Sequence, residues 1–215
     1  MKTLAILSRK GGAGKTTVAL HLAVTAQEAG RRVALVDMDP QRSAADWWRS
    51  RDSDTPELVE VEPGNLAPVV RAAEADGVDL LVIDTRPSAE ADAFEAARVA
   101  DLALVVVKPS ILDLRAVAGT VDVVSRTKAR AALLINQAPP PRGIAEAPIV
   151  REAQAALAGY GPPLAPVVLH ARAAYHAALI DGRAVNELEP DGRATQEVKA
   201  LWRYLEGELW PDVAN

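Results

Sequence analysis

A glycine-rich stretch near the N-terminus carries the residue types that bind phosphate groups. Glycines allow the backbone to curl so that several N–H groups and a helix N-terminus point at one phosphate. Lys15 would then reach the β- and γ-phosphates, and the Thr16 hydroxyl would bind Mg²⁺. The spacing therefore predicts a nucleoside triphosphate site. In order, its residues are Lys10, Gly11, Gly12, Ala13, Gly14, Lys15, Thr16 and Thr17.

Acidic residues follow two later apolar runs and could complete such a site. Asp37 and Asp39 come after the second apolar run, and Asp84 ends the third. In α/β folds, ligands bind at the edge of the sheet where the carboxyl ends of the strands meet. Mg²⁺ keeps most of its waters and takes few direct protein ligands. We therefore expect Asp84 to hold the hydration shell of a bound Mg²⁺.

The elements that must position these residues are short apolar runs alternating with alanine-rich stretches. The runs are continuously apolar, which is typical of parallel strands buried on both faces. The alternation predicts an α/β fold, with a mostly parallel sheet and helices on both faces. Strands are predicted at 3–7, 32–36, 79–83, 102–107, 131–135 and 164–169. Helices are predicted at 15–29, 43–51, 65–75, 89–100, 112–126, 148–158, 171–181 and 194–209.

Length and composition restrict the class of protein. The 215 residues predict one domain over 1–215, with the C-terminal helix at about 194–209 packed on it. A net charge of −5 excludes a uniformly basic nucleic-acid coat, although not a local basic patch. The longest apolar run, 102–107, is far shorter than the roughly 20 residues of a membrane-spanning helix. We expect a cytoplasmic protein that does not cross a membrane.

The phosphate-binding stretch departs from the general P-loop pattern. Arg9 stands where that pattern has its first glycine, and Lys10 adds an early lysine. This form resembles the deviant Walker A loop of the ParA-type partition ATPases and their MinD relatives, which have a P-loop NTPase fold. The resemblance implies that the stretch from Lys10 to Thr17 binds ATP with Mg²⁺. It also implies a homodimer on ATP binding, in which Lys10 reaches the partner's active site.

Further segments match the same family in the same order along the chain. The sequence from Asp37 to Gln41 is similar to Asp-x-Asp-Pro-Gln, which implies that Asp39 positions the attacking water and that Asp37 supports the Mg²⁺ shell. Asp84 matches the Walker B aspartate, and the family uses an asparagine such as Asn136 at the adenine edge. One departure is Arg86, where the family commonly has a proline.

The resemblance is strongest to the short, ParF-like partition ATPases. It implies an ATPase that dimerises with ATP, binds nonspecific DNA in that state, and segregates or positions DNA or another cargo until hydrolysis resets it. A separate adaptor protein would activate hydrolysis, and DNA binding would make the protein nucleoid-associated. Arg172 and Arg183 are the candidate DNA contacts among the late arginines, which also include Arg142 and Arg151.

Two other functions remain open at this stage. A MinD-like protein would use an amphipathic C-terminal helix on a membrane, but the polar face of 194–209 mixes acidic and basic residues, whereas membrane-surface helices are rich in Lys and Arg. Packing on the domain is therefore favoured for its apolar residues, and membrane binding is not expected. A small-molecule ligase of the same superfamily also fits. The redox branches are excluded, because the chain has no cysteine to hold an iron–sulfur cluster.

Overall fold

A computed structural model describes residues 1–62, 64–87, 89–141, 143 and 145–211. Within these residues, seven parallel strands form one sheet in the order β3-β2-β4-β1-β5-β6-β7. The strands are β1 (Lys2–Leu7), β2 (Val33–Asp37), β3 (Glu57–Glu60), β4 (Leu80–Asp84), β5 (Leu102–Val107), β6 (Arg130–Ala138) and β7 (Leu164–His170). The predicted α/β class with a parallel sheet is confirmed.

Helices cover both faces of this sheet. One face contacts α1 (Lys15–Glu28), α2 (Ser43–Arg49), α7 (Ala173–Leu179), α8 (Val185–Leu188) and α9 (Arg193–Leu209). The other contacts α3 (Leu66–Ala75), α4 (Glu90–Val99), α5 (Ile111–Ser125) and α6 (Pro148–Leu157).

The central strands explain why the apolar runs do not alternate with polar residues. In β1, Leu4 and Ile6 pack into the layer with α1 and α9, whereas Ala5 and Leu7 pack into the layer with α3 and α4. Because successive side chains point to opposite faces, a strand covered on both sides must be apolar at every position. The carboxyl ends of β1, β2 and β4 then bring the predicted site residues to one edge.

The prediction missed strand β3 and helix α8 for identifiable physical reasons. Strand β3 lies at the edge of the sheet, and its first and last residues, Glu57 and Glu60, are exposed, so it lacks an apolar run. The four-residue helix α8 is too short to show a helical period, and the helix predicted at 171–181 is the shorter α7. The third predicted strand is accordingly β4.

Helix α9 packs its apolar side on the sheet layer that contains α1 and β7. Its buried side chains include Val198, Leu201, Trp202, Leu205 and Leu209. None of the helices in the described ranges has the length and hydropathy needed to cross a membrane.

Candidate nucleotide-binding site

The phosphate-binding loop connects β1 to α1 with a backbone that requires glycine. Gly14 precedes the first helical residue with φ of 89°, in the left-handed region that side chains disfavour. A Cβ at Gly14 would also collide with the Asn136 amide nitrogen and lie 2.9 Å from Nε2 of Gln137. The loop is thus packed closely on the end of β6.

The side-chain amides of two β6 residues donate hydrogen bonds to the loop. Asn136 Nδ2 donates a hydrogen bond to the Ala13 carbonyl at 2.8 Å, and Gln137 Nε2 donates one to the Gly12 carbonyl at 3.3 Å. These hydrogen bonds hold the two carbonyls toward β6 and so fix the orientation of the loop's peptide units. The adenine contact predicted for Asn136 stays a prediction, and its amide nitrogen already has a structural role. Gln137 was not singled out from the sequence.

Lys15 is a buried cation at the start of α1. Only 6% of the residue is exposed, and burial lowers the pKa of its ammonium, while the nearby charges of Asp84 and Asp39 oppose that shift. A lysine in this position is directed into the site rather than into solvent. A bound phosphate would supply the negative charge that best stabilises it.

Asp84 is a fully buried carboxylate beside the Thr16 hydroxyl and the Lys15 ammonium. Neither of its oxygens has a hydrogen-bond partner within the described residues. Burial raises its pKa to about 7, the Thr16 hydroxyl and the Lys15 charge oppose this rise, and the charges of Asp37 and Asp39 add to it. An unpaired buried carboxylate is costly unless it contacts a cation. Asp84 beside Thr16 therefore fits a hydrated Mg²⁺.

Asp37 and Asp39 have different environments although they are two residues apart. The Asp37 carboxylate is buried and accepts hydrogen bonds from the backbone N–H groups of Asp39 at 2.9 Å and Ala45 at 3.1 Å. Burial raises its pKa. Asp39 is half-buried and accepts from the Gln41 N–H at 3.0 Å. Asp37 thus shapes the turn that directs Asp39 into the site, and its predicted part in the Mg²⁺ shell stays a prediction.

A groove of about 700 Å³ runs from the loop across α1 between α2 and α7. Asp39 and Lys15 lie on its walls. Beside it is a smaller cavity of about 260 Å³ between α1, β7 and α7. The residues common to both linings are Thr17, Gln137 and His176.

The segment after Asp84 is tied to α4 by an arginine that the family pattern does not predict. The Arg86 Nη2 donates to Oδ1 of Asp92 at 3.1 Å, and Asp92 is only 1% exposed. The neighbouring Pro87 lines the groove and faces Gly11. Arg86 therefore fixes the wall of the groove.

Lys10 lies in solvent at the start of the loop. Its side chain is exposed, and its ammonium makes no hydrogen bond or ion pair within the part of the chain that the structure describes. The two lysines of the loop thus have opposite environments, because Lys15 is buried among carboxylates.

The candidate DNA contacts are already ion-paired. Arg172 donates to Oε1 of Glu197 through Nε at 2.9 Å and Nη2 at 2.6 Å. Arg183 is exposed, and its Nη2 lies 2.7 Å from Asp181. Arg142 is outside the described residues. Neither Arg172 nor Arg183 presents an uncompensated charge in this conformation, which a sequence cannot reveal.

Comparisons with known proteins agree with this geometry. A family model described as the CobQ/CobB/MinD/ParA nucleotide binding domain matches residues 4–185. Two relatives named maintenance of carboxysome distribution protein A are 30% identical (Halothiobacillus neapolitanus) and 32% identical (Gloeobacter kilaueensis). The alignments cover 91% and 97% of this chain, and 91% and 94% of the relatives.

Solved structures share the fold. Apo McdA of Cyanothece superposes with a TM-score of 0.77 at 19% identity, covering 95% of this chain and 99% of that one. MinD of Pyrococcus horikoshii, complexed with Mg-ADP, gives 0.77 at 19% identity and covers 95% and 96%. The predicted family is confirmed: the chain belongs to the CobQ/CobB/MinD/ParA nucleotide-binding family, with the deviant Walker A loop of its ParA and MinD ATPases.

Proposed function

We propose that this protein hydrolyses ATP, dimerises in its ATP state and uses that dimer to position a cargo along DNA. The observation that carries the proposal is the contrast between the two loop lysines. Lys15 is directed into its own site, whereas Lys10 is exposed and unpartnered at the rim. A second cation that its own site does not bind is available to another subunit's phosphates.

Different residues of the site would bind the phosphates, orient the attacking water and hold Mg²⁺ during phosphoryl transfer. Loop N–H groups and Lys15 bind the phosphates and neutralise the charge that develops on them. Asp39, held by the turn that Asp37 shapes, orients the attacking water. Asp84 and Thr16 would hold Mg²⁺, which supplies further charge neutralisation when bound.

The smaller cavity suits the base of the nucleotide. It meets the groove at Thr17, Gln137 and His176, so a nucleotide with its phosphates on the loop extends its base toward this cavity. Cavities lined mainly by apolar groups with a few polar atoms are typical of such sites. Position 139 is proline, and the Asn-Lys-x-Asp sequence that binds guanine in GTPases is missing, which favours ATP.

Exposed apolar side chains support a dimer at the same edge of the sheet. Ile111 is 67% exposed and Leu112 is 61% exposed at the start of α5. This helix follows β5, whose carboxyl end lies beside the end of β1 and the phosphate loop. Covering these side chains with a second copy would bring the two nucleotide sites together, with Lys10 between them.

The relatives favour a protein assembly over a plasmid or chromosome as cargo. Two relatives that align along nearly the whole chain are named for the distribution of carboxysomes. We therefore infer that this chain positions a carboxysome or a similar assembly, through an adaptor that activates hydrolysis. The membrane alternative is disfavoured because the apolar face of α9 is buried in the core. A small-molecule ligase gives no reason for an exposed, unpartnered Lys10.

Size-exclusion chromatography with ATP and Mg²⁺ tests this proposal. We expect Lys15→Ala to stay monomeric because it loses nucleotide binding. We expect Asp39→Ala to form a long-lived dimer because it binds ATP without orienting water. Lys10→Ala should bind ATP normally but lose adaptor-stimulated hydrolysis, since a cation from a partner subunit is worth about 10³ to 10⁵ in rate. A monomeric Asp39→Ala protein that binds ATP would contradict the scheme.

A further inference from the structure

Arg9, which replaces the first glycine of the general P-loop pattern, lies against helix α5. A Cβ added at Gly119 of α5 would be 2.9 Å from Cδ of Arg9 and 3.1 Å from its Cζ, and it would collide with Nη1. These distances are shorter than ordinary van der Waals contact. The arginine therefore occupies the space that a side chain at position 119 would fill, while 45% of its own side chain remains exposed.

Gly119 is an unfavourable residue for its place in the chain. It lies near the middle of α5, and glycine in a helix interior costs about 1 kcal/mol relative to alanine. The Arg9 side chain gives a physical reason for this glycine, because a larger residue would displace it. The arginine in the loop and the glycine in the helix therefore fit each other.

The contact is on the same face of α5 as the exposed Leu112. Leu112 and Gly119 are seven residues apart, and residues at i, i+4 and i+7 share one face of a helix. Ala116 lies between them and lines a narrow crevice together with Arg9. Leu112 is 61% exposed, and Arg9 covers the same face about 10 Å further along the helix. A partner subunit that covers Leu112 would therefore lie close to the start of the phosphate-binding loop.

A second contact restricts the head group of the same arginine. Its Nη2 lies 4.0 Å from Oε2 of Glu90, the first residue of α4. The other oxygen of this carboxylate accepts a hydrogen bond from Nη2 of Arg126, directly after α5, at 2.6 Å. Exposed ion pairs of this kind contribute little to stability. They do restrict where the Arg9 head group lies, so α4 and α5 position it together.

We propose that Arg9 is a positioning residue that holds the phosphate-binding loop against α5. The inference rests on the proposed function, because it explains how Lys10 and the exposed apolar residues of α5 reach a partner subunit together. Lys10 directly follows Arg9, so fixing Arg9 restricts the backbone from which Lys10 extends. The loop and the dimerising face of α5 then keep a fixed spacing, which lowers the entropy cost of association.

A direct contact between Arg9 and the nucleotide is the alternative, since an arginine beside a phosphate site can itself bind phosphate. The geometry favours the positioning role. The described residues that line the groove next to the loop include Lys15 and Asp39 but not Arg9. The contacts of Arg9 described above are instead with α4 and α5.

A matched pair of glycine-to-alanine variants tests the proposal without changing any charge. Gly119→Ala displaces Arg9 from its place on α5. Gly207→Ala is the control, because it makes the same change inside α9, where an added Cβ would meet no neighbouring group of the described chain within 4 Å. Each substitution favours its helix by about 1 kcal/mol. Neither should lower the melting temperature of the nucleotide-free protein.

The measurement is the dimer dissociation constant, obtained by sedimentation velocity with Mg²⁺ and a slowly hydrolysed ATP analogue. We expect Gly119→Ala to weaken dimerisation about tenfold, which corresponds to about 1.4 kcal/mol. Its affinity for a fluorescent ATP analogue, measured on protein dilute enough to be monomeric, should stay within about twofold of the wild type. Gly207→Ala should match the wild type in both measurements.

Two further variants show whether the glycine acts through the arginine. We expect Arg9→Ala to weaken dimerisation about as much as Gly119→Ala does. The double variant should be no weaker than Arg9→Ala alone, because without the arginine a methyl group at position 119 displaces nothing. Additive losses would overturn the proposal, since the glycine would then act independently of Arg9.

The outcomes separate this inference from the proposed function. If Gly119→Ala dimerises as tightly as the wild type, or if Gly207→Ala is weakened equally, the positioning role is wrong while the proposed function stands. Weaker nucleotide binding by Arg9→Ala, with normal dimerisation of Gly119→Ala, would identify Arg9 as a phosphate ligand instead. If the wild type does not dimerise with the ATP analogue, the proposed function itself fails.

Discussion

Two carboxylates, Asp84 at the end of β4 and Asp92 on α4, are equally buried but differ in how their negative charge is compensated. Both are essentially inaccessible to solvent, with 0% and 1% of the residue exposed. Asp92 is paired with Arg86, whose Nη2 donates to it at 3.1 Å. Asp84 has no hydrogen-bond partner within the described residues, and its pKa is raised to about 7.

This difference separates a structural carboxylate from a functional one. A buried charge costs several kcal/mol unless an opposite charge compensates it. The fold compensates Asp92 with a direct ion pair, whereas the Lys15 charge and the Thr16 hydroxyl offset the burial of Asp84 only in part. Asp84 is thus maintained at a cost in stability of the nucleotide-free protein, and a metal ion that arrives with the nucleotide would relieve that cost.

The largest expected effect comes from neutralising Asp84. We expect Asp84→Asn to lose at least 100-fold in Mg²⁺-dependent ATP hydrolysis, because the hydration shell of the ion loses its anchor. The same variant should be more stable than the wild type without nucleotide, by up to about 4 kcal/mol at pH 8. A buried charge is removed whose pKa is about 7 in the folded protein against about 3.9 unfolded, which is about 3 pH units at about 1.4 kcal/mol each. Hydrolysis assays and urea unfolding in the presence of a chelator measure the two effects.

The matched control for this substitution is Asp92→Asn. It removes the same charge from an equally buried site but breaks an ion pair, so we expect it to destabilise the fold by about 1–2 kcal/mol. Two changes of identical chemistry would thus shift stability in opposite directions. If both variants were destabilised by similar amounts, Asp84 would be an ordinary buried carboxylate and the distinction would fail.

The second prediction concerns pH. The pKa of Asp84 is raised to about 7 in the folded protein, against about 3.9 in an unfolded chain. The folded state then binds one more proton than the unfolded state between these values, so this group's contribution to stability is largest below about pH 4 and falls as pH rises to about 7. We expect this loss at about 1.4 kcal/mol per pH unit at most.

A second buried group, His21, changes the unfolding free energy with pH in the opposite direction. The measurement must therefore separate its contribution from that of Asp84. Burial lowers the pKa of His21 to about 4, below its unfolded value of about 6.5, so its contribution rises with pH in that interval. The informative quantity is therefore the difference in unfolding free energy between Asp84→Asn and wild type. It should grow from near zero at pH 4 to a plateau above pH 7, and a difference independent of pH would contradict the assignment.

Some features of the fold and of the site, including Asp84, could be predicted from the sequence alone. The phosphate-binding loop was predictable because its residues are consecutive and glycine, lysine and threonine have fixed local roles. Asp84 was predictable because it ends a continuously apolar strand, and the carboxyl ends of parallel strands meet at one edge. Five of the seven strands were predicted because the central sheet is buried on both faces. The edge strand β7 was predicted from its apolar residues, although it is only partly buried.

What the sequence could not reveal is which charges compensate one another. Glu197 neutralises Arg172 from 25 residues away, and no local pattern marks that pair. The α9 helix reads as mixed in charge until the fold pairs its carboxylates with cations from other elements. The supporting amide of Gln137 was missed because its partner, Gly12, lies 125 residues earlier.

The smallest expected effect, a coupling of about 1 kcal/mol, concerns Arg86, the arginine that distinguishes the two carboxylates. Arg86→Ala leaves Asp92 buried without its cation, so we expect a loss of about 2 kcal/mol in unfolding free energy, less than for a fully buried pair because the Arg86 side chain is 37% exposed. Arg86→Lys keeps the charge but loses the forked geometry, which predicts a loss of about 1 kcal/mol. The double variant Arg86→Ala with Asp92→Asn should lose less than the sum of the two single variants, by about 1 kcal/mol. Urea unfolding of the wild type, Arg86→Ala, Asp92→Asn and the double variant measures this coupling. Strictly additive losses would mean that Arg86 does not compensate Asp92.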